Sequence, residues 1–235
     1  MREILISGLK KYNIDFSKEH LDKIDLYYDL IVEKNKVMNL TRITDKKEFY
    51  VKHILDSVSI CNYLSFNDQK ILDLGTGAGF PGIPLKIFFP EIRIIMVDSV
   101  NKKLEFINSV IDSLQLQNIK TVHGRAEDIA RINEYRESFD FVLSRAVADL
   151  SVLSEYALPF VSLNGYFIAY KSWDCDQEIK KADNAIRLLS GASPIIKDII
   201  LPNTDISRKL VIIKKISAIS SKYPRKAGIP SKNPL

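Results

Sequence analysis

Hydrophobic residues recur at two different spacings along the chain, and the change falls near residue 65. Before it, apolar residues follow one another at intervals of three or four, which predicts an amphipathic helix over residues 17–35 with Ser17 as its N-cap. The same spacing predicts a second helix over residues 48–64. Residues 1–65 are therefore predicted to form a helical subdomain.

After this region, short apolar runs alternate with amphipathic segments, which is typical of βαβ units. The predicted strands are KILDL, RIIMVDS, IKTVHG, FDFVLSRA, GYFIAYK, IKDIILP and KLVIIKKI. This order predicts an α/β core over residues 66–216, with a mostly parallel seven-stranded sheet and helices on both faces. The linker PNTDISR is too short for a helical crossover, so the last strand is predicted to run antiparallel to its predecessor.

Two local features complete the predicted fold. The helix after the second strand presents one apolar face, and Ser99 is its predicted cap. Residues 217–235 form a basic tail whose last sixteen residues contain three prolines and a glycine. We expect this tail to be extended or irregular.

Charge distribution changes the picture at the C-terminus. The net charge is +5, yet residues 206–235 hold eight basic residues and no acidic one, so the rest of the chain is slightly acidic. This asymmetry indicates a polyanionic partner such as nucleic acid, although a solvated tail that only aids solubility would show the same composition. The candidate RNA contacts in the tail are Lys222, Arg225, Lys226 and Lys232.

Composition also excludes several classes of protein. The apolar runs are shorter than a membrane span, and the N-terminus lacks the apolar stretch of a signal peptide. Cys61 and Cys175 lie far apart, and the three histidines form no cluster with them, so neither a disulfide nor a metal site is expected. We expect a cytoplasmic monomer without a membrane partner.

The glycine-rich stretch ILDLGTGAGFPGIP, residues 71–84, holds the candidate ligand loop. Gly77, Gly79 and Gly82 satisfy the dinucleotide pattern G-x-G-x-x-G, but Gly75, Gly77 and Gly79 also give G-x-G-x-G. In either pattern the glycines let a strand turn sharply into a helix and bring backbone amides near a ligand. The glycines alone therefore do not distinguish a dinucleotide from another nucleoside ligand.

The residues around the glycines favour a cationic ligand. Asp73 ends the predicted strand, and its carboxylate would repel a pyrophosphate at the helix N-terminus. Pro81 removes one amide from the first helical turn, where a phosphate would bind. S-adenosyl-L-methionine (AdoMet) is cationic at its amine and sulfonium, so it is favoured over a nicotinamide dinucleotide.

Acidic residues after the next two strands fit a nucleoside. Asp98 ends the second strand, where a carboxylate accepts hydrogen bonds from ribose hydroxyls. After the third strand, Ala126 is placed to lie against adenine, and Glu127 or Asp128 to accept from its amino group. The two acids would equally serve to cap the following helix.

Two cationic residues are predicted at the ends of later strands. Arg145 ends the fourth strand and Lys171 the fifth, so both are expected over the crevice at the carboxyl edge of the sheet. Lys171 is a candidate to hold a phosphate or guanine O6, or a lysine with no role beyond solvation.

The chain lacks two features with which methyltransferases recognise or activate particular methyl acceptors. The chain has no acid or amide followed by two prolines after the fourth strand, and no cysteine is placed as a nucleophile. A ring nitrogen with a free lone pair, such as guanine N7, remains. Catalysis would then rest on positioning and charge, with Arg145 and Lys171 as positioning candidates and without a general base or a metal.

Several motifs together carry a family resemblance. GTGAGFPGIPL, VKHILDS, MNLT, SRAVA and YPRKAGIPSKNPL, taken over nearly the whole chain, resemble the bacterial 16S rRNA guanine-N7 methyltransferase G family, also called glucose-inhibited division protein B. The resemblance implies a Rossmann-like class I AdoMet-dependent methyltransferase that acts on the decoding-region loop of 16S rRNA, with that RNA or the small ribosomal subunit as partner. The implied cofactor contacts are Gly75, Phe80, Ala126, Glu127 and Arg145, beside Gly77 from the loop pattern and Asp98 from the end of the second strand.

The resemblance has one visible departure. Members of the family often carry a glycine after the fifth-strand lysine, where Ser172 and Trp173 stand here. Polar residues of the helical motifs (Asn39, His53, Asp56 and Ser57) are expected to latch the helical subdomain to the sheet.

Overall fold

The N-terminal quarter of the chain is helical in the computed structural model, which describes residues 1–235. The elements are α1 (Arg2–Lys11), α2 (Lys18–Asn35), α3 (Lys46–Phe49), a π-helical turn (Tyr50–Leu55), α4 (Asp56–Val58) and a 3₁₀ turn (Ser59–Asn62). Ser17 caps α2 as predicted, because its hydroxyl accepts from the amide of His20 while the His20 ring accepts from the amide of Ser17. Helix α1 was not predicted from the sequence.

A single seven-stranded sheet follows. Its strands are β1 (Lys70–Leu74), β2 (Arg93–Asp98), β3 (Ile119–His123), β4 (Phe139–Arg145), β5 (Val161–Ser172), β6 (Ile195–Ile200) and β7 (Ser207–Lys214). The spatial order is β3-β2-β1-β4-β5-β7-β6, with the first five strands parallel and β7 antiparallel to both of its neighbours. This confirms the predicted sheet and its C-terminal hairpin. The strand order reverses at β1, so the switch point lies between β1 and β4.

Helices cover both faces of this sheet. They are α5 (Gly82–Phe88), α6 (Asn101–Ser113), α7 (Ala126–Ile129), α8 (Leu150–Ala157), α9 (Asp176–Leu188) and the short α10 (Ile229–Lys232). Successive residues of β1 point to opposite faces: Ile71 packs with the N-terminal helices, α5 and α6, whereas Leu72 packs with α8 and α9. The helical N-terminal region therefore shares one continuous apolar core with the sheet. None of the helices combines the length and apolarity of a membrane span.

One local prediction needs correction. Helix α6 begins at Asn101 with Val100 at the cap position, and Ser99 provides no cap; Asp98 instead accepts a hydrogen bond from the amide of Val100. The C-terminal tail is mostly irregular, as predicted, and it packs against the rest of the chain. Tyr223, Pro224 and Pro230 are buried, and the tail ends in helix α10 packed against α8.

Candidate cofactor and substrate clefts

The glycine loop between β1 and α5 is organised from behind by Asp73. This carboxylate is fully buried, and its Oδ2 accepts hydrogen bonds from the Thr76 hydroxyl at 2.7 Å and from the amide of Gly82 at 2.9 Å. A side chain at residue 82 would place its Cβ 2.7 Å from that oxygen, so glycine is required there by the loop itself. Asp73 therefore shapes the loop through Oδ2, a structural role that the sequence interpretation did not include.

Asp73 still contributes a negative charge beneath the loop. Burial raises the pKa of this carboxyl to about 6, although the hydrogen bonds from Thr76 and Gly82 and the charge of Arg145 act in the opposite direction. Its second oxygen has no hydrogen-bond partner. The carboxylate is thus stabilised by any positive charge that binds nearby.

Asp98 joins the loop to the second strand. Its Oδ2 accepts from the amide of Gly77 at 3.0 Å, and its Oδ1 accepts from the amide of Val100 at 2.9 Å. The only nearby cation is Lys103, whose Nζ lies 3.8 Å away. The amides of Gly77 and Val100 thus hold the Asp98 carboxylate in one orientation. Its remaining lone pairs are oriented by these two backbone contacts.

A cleft of about 490 Å³ opens beside this carboxylate, within the usual range of small-molecule sites. We call it the first cleft. Of the predicted cofactor residues, Gly75, Asp98, Ala126 and Glu127 line it, together with the unpredicted Tyr156, Gly228 and Ser231. Gly77, Phe80 and Arg145 do not.

Close approach of the loop to its neighbour explains Gly75. Its φ is +70°, and an added Cβ would lie 2.4 Å from the Val147 side chain. Only glycine fits both the backbone conformation and the contact.

Phe80 turns away from the first cleft into the helical region. Its ring stacks on His53 with centroids 4.2 Å apart and an interplanar angle of 10°, and the Arg145 guanidinium carbon lies 4.8 Å from the ring centroid. The ring is buried beside Tyr27 and Phe49. The Phe80 side chain thus connects the glycine loop to the N-terminal helices, and Phe80 does not line the first cleft.

A second cleft of about 490 Å³ lies next to the first, and Ala146 lines both. Arg145 and Lys171 line the second cleft with His53, Asp56 and Glu178. Lys52, Tyr170, Ser172 and Arg208 complete its lining. The two predicted positioning residues are therefore brought together, but in the neighbouring cleft and not in the one that holds Asp98 and Glu127.

Arg145 is held by the helical region. Its guanidinium contacts Asp56 Oδ2 at 3.0 Å, the carbonyl of Lys52 at 3.2 Å and the His53 Nδ1 at 3.0 Å. Burial raises the pKa of the Asp56 carboxyl, while the charges of Arg145 and Arg208 act in the opposite direction. The guanidinium is thus paired inside the protein, at the junction of both clefts.

His53 and Ser57 extend this junction. His53 Nε2 lies 2.8 Å from the Thr41 hydroxyl, and burial together with Arg145 lowers the pKa of His53 to about 3. The Ser57 carbonyl accepts from the Tyr170 hydroxyl at 2.7 Å. His53, Asp56 and Ser57 therefore connect the helices to the sheet, as the latch hypothesis expects, whereas Asn39 is exposed and makes no side-chain hydrogen bond.

Lys171 is also paired. Its ammonium donates to the carbonyl of Ala148 at 2.7 Å and to the carboxylate of Glu178. The pair presents a donor and an acceptor side by side at the rim of the second cleft. Ser172, the departure from the family pattern, lies in the same lining and its hydroxyl bonds Asp174.

The basic side chains of the tail fall into two groups, one paired within the protein and the other exposed. Arg225 pairs with the buried Glu155, its Nη2 lying 2.6 Å from Oε2, so this arginine is committed within the protein and the geometry counts against its role as an RNA contact. Lys222, Lys226 and Lys232 are exposed. No group of three or more potential metal-binding side chains is present.

Comparison with known proteins settles the family. The family model described as GidB, rRNA small subunit methyltransferase G, matches residues 20–205. The chain is a member of this family. A relative from Clostridium kluyveri, named ribosomal RNA small subunit methyltransferase G, is 47% identical over 99% of this chain and 98% of its own length. A relative of the same name from Desulforamulus reducens is 48% identical over 98% and 97%, respectively.

Solved structures agree with the fold of this family member. A predicted O-methyltransferase from Agrobacterium tumefaciens superposes with a TM-score of 0.55 at 18% identity, covering 71% of this chain and 82% of that one. A SAM dependent methyltransferase from Aquifex aeolicus gives 0.53 at 13% identity, covering 73% and 94%. The fold is therefore that of the class I AdoMet-dependent methyltransferases.

The cofactor that the family implies is AdoMet, and the first cleft fits it. Asp98 offers carboxylate oxygens where ribose hydroxyls would lie, and Glu127 offers one beside the small Ala126 face. The buried negative charge of Asp73 suits a ligand with positive charge at its amine and sulfonium.

The unpredicted cleft residues carry weak sequence signals. Glu178 comes seven residues after Lys171, and Arg208 lies at the start of the antiparallel strand, but neither spacing indicates a cleft. Gly228 and Ser231 fall in the tail motif YPRKAGIPSKNPL, one of the motifs that carry the family resemblance. The motif does not indicate that the tail lies near the glycine loop.

Proposed function

We propose that this protein transfers the methyl group of AdoMet to N7 of a guanine in 16S rRNA. The relatives at 47% and 48% identity are named as small-subunit rRNA methyltransferases. The observation that carries the proposal is the junction of two clefts at Ala146, one with nucleoside-binding groups and the other with paired cations and carboxylates. A cofactor and a base bound in these clefts would meet there.

The second cleft suits guanine. The ammonium of Lys171 is a donor for guanine O6, and the carboxylate of Glu178 is an acceptor for N1–H and the exocyclic amine. Guanine alone presents one acceptor followed by two donors on this edge, since uracil ends in a second acceptor and adenine and cytosine begin with a donor, so the pair would select guanine. Its side-by-side arrangement in the free protein means that little reorganisation is needed when the base binds.

The reaction needs no proton acceptor. N7 attacks with its own ring lone pair, so an N–C bond forms as the S–C bond breaks, and the positive charge passes from sulfur to the purine. AdoMet, when bound, would supply the methyl group from its sulfonium, and the neutral thioether S-adenosylhomocysteine would be the leaving group. His53, held neutral by burial and by Arg145, accordingly serves position and not acid–base chemistry. Arg145 fixes the wall between the clefts through Asp56 and Phe80.

RNA binding is assigned to cations around the clefts. Lys222, Lys226 and Lys232 are exposed on the tail, and the half-buried Lys52 and Arg208 line the second cleft. Phosphate contacts by such residues would give the salt-dependent affinity typical of RNA-binding proteins. A ribosomal RNA substrate implies that the protein acts in the cytoplasm, and one copy of the chain contains both clefts, so a monomer suffices.

The activity is tested with the purified protein, methyl-labelled AdoMet, and 16S rRNA or small subunits from cells that lack this methylation. We expect label at a single guanine, mapped by chain cleavage specific for N7-methylguanine. Labelling of another atom, or of no RNA, would refute the proposed specificity.

The guanine pair is tested by Lys171→Met and Glu178→Gln. We expect at least a tenfold loss of kcat/KM, the size of one lost charged hydrogen bond, with unchanged AdoMet affinity. Lys180→Met is the control, because Lys180 is exposed on the same helix as Glu178 and lies outside the cleft. Wild-type kinetics in both cleft variants would remove the pair from the mechanism.

A further inference from the structure

The C-terminal segment Tyr223–Lys232, which we call the C-terminal strap, is fastened to the core by a buried charge pair. Glu155 on α8 is only 1% exposed, and all its hydrogen bonds come from Arg225: the backbone amide at 2.7 Å, Nε at 2.9 Å and Nη2 at 2.6 Å. Removing one partner would leave the other charge buried and unpaired, which is strongly unfavourable. The strap is therefore fixed at this point.

Arginines of the loop after α7 fasten the start of the strap. Arg136 donates to the carbonyls of Tyr223 at 2.9 Å and Ser220 at 3.2 Å, and Arg131 donates to the carbonyl of Pro224. The Tyr223 side chain is buried in the core formed with α8 and α9. These contacts hold a segment without regular secondary structure in one place.

Beyond this anchor the strap reaches the first cleft. Gly228 takes a left-handed conformation, φ +84°, and its amide donates to Glu127 Oε1 at 2.9 Å. Gly228 and Ser231 line the first cleft beside Tyr156 and Ala126. The strap thus forms part of the wall near the expected adenine position.

The hydrogen bond from Gly228 orients a predicted ligand group. It occupies Oε1 of the buried Glu127 and leaves Oε2 as the acceptor for the adenine amino group. Without the strap, this carboxylate would lose its orientation and the cleft would open to water on that side. Orientation by a neighbouring contact lowers the entropy cost of binding.

We propose that the C-terminal strap is a binding element for the adenosine end of AdoMet, with Gly228 as the residue that positions Glu127. This role rests on the assignment of the first cleft to AdoMet. It differs from the RNA-binding role that the tail's composition suggests, because Arg225 is turned inward while Lys226 and Lys232 remain exposed. The basic tail would thus contribute to cofactor binding through its backbone and through its one paired arginine.

The test measures binding of S-adenosylhomocysteine to the full chain by calorimetry. The double variant Glu155→Met/Arg225→Met removes the anchor while replacing a buried ion pair with apolar side chains, a change that folds tolerate well. We expect Kd to rise about tenfold or more, as one lost hydrogen bond would give. Asp183→Met/Arg187→Met is the matched control, because it removes an exposed pair on α9, and wild-type affinity is expected.

A second measurement does not depend on any variant. Trypsin cleaves after the exposed Lys226, and bound S-adenosylhomocysteine should slow this cleavage in the wild-type protein. Unchanged affinity in the anchor variant, or a cleavage rate insensitive to the ligand, would overturn the role of the strap alone. If the wild-type protein failed to bind S-adenosylhomocysteine, the cofactor assignment itself would fall, and the strap with it.

Discussion

The two ends of the chain both reach the carboxyl edge of the sheet, but different forces hold them there. The N-terminal helices are joined to the glycine loop through buried rings, with Phe49 and Phe80 in contact and Tyr27 beside both. The C-terminal strap is held by arginines that bind Glu155 and backbone carbonyls. Apolar burial stabilises the fold without directional contacts, whereas hydrogen bonds and ion pairs orient the groups that they hold.

This difference assigns separate tasks to the two ends. Substitutions at the N-terminal junction should act first on folding, because the junction belongs to the continuous core. Substitutions at the C-terminal strap should act first on ligand binding. The following experiments test that division.

The largest effect is expected for Phe49→Ala at the N-terminal junction. Phe49 is fully buried and packs edge to face against Tyr27, Tyr50 and Phe80. Removing such a ring costs about 3–5 kcal/mol of unfolding free energy. Urea denaturation checks this, with Val37→Ala, at a position 81% exposed, as a control expected to change stability by no more than about 0.5 kcal/mol.

A loss below about 1.5 kcal/mol in Phe49→Ala would contradict the junction's role in the core. The two ends would then not differ in the force that attaches them.

A smaller loss is expected for Tyr27→Phe. The phenol donates to the carbonyl of Ala78 in the glycine loop at 2.6 Å, in a fully buried setting. Loss of this donor leaves a buried carbonyl unpaired, which costs about 1–3 kcal/mol. Tyr28→Phe is the matched control, because its hydroxyl donates to the carbonyl of Thr44 where water can replace it. Equal losses in the two variants would show that the loop does not depend on the buried hydrogen bond.

Acid should weaken the N-terminal junction through His53. In the folded protein the pKa of His53 is lowered to about 3, chiefly by burial, so the unfolded chain takes up a proton near its ordinary pKa of about 6.5 while the folded protein does not. Stability is therefore lost as pH falls from about 6.5 towards 3, by about 1 kcal/mol per pH unit. The slope should diminish in His53→Gln and persist in the exposed His123→Gln.

This slope is measured as the free energy of unfolding in urea between pH 7 and pH 5. An identical slope in wild type and His53→Gln would show that the imidazole is not held neutral at the junction.

The smallest effect is expected for charge reversal of the strap's exposed lysines. Lys226→Glu/Lys232→Glu should weaken 16S rRNA binding a few-fold and lower the slope of log K against log salt by roughly 0.7–0.9 for each lost phosphate contact. Lys180→Glu on α9 is a single-charge control. An unchanged salt slope would show that RNA does not touch the outer face of the strap.

Much of the fold could be predicted because its signals are local. Strand runs such as KILDL and the Ser17 cap depend on neighbours within a few residues, and the short linker before β7 left only an antiparallel return. The prediction that Ser99 caps α6 was wrong because Asp98 competes with Ser99 for the amides at the start of the helix. The Asp98 carboxylate, already bound to the amide of Gly77, is the better-placed acceptor. Helix α1 was missed because it is short and contains Gly8, a poor helix former, so most of its stability comes from tertiary packing.

The candidate site divides in the same way. The glycine loop, the carboxylates after β2 and β3, and the cations after β4 and β5 could all be located from the residues alone, since each follows a strand whose end is local information. Folding in three dimensions was needed to turn Asp73 inward, to stack Phe80 on His53 and to bring Arg225 to Glu155. These contacts join residues far apart in the chain, and they are fixed by which buried charge or ring must be satisfied, a condition that spacing along the sequence does not express.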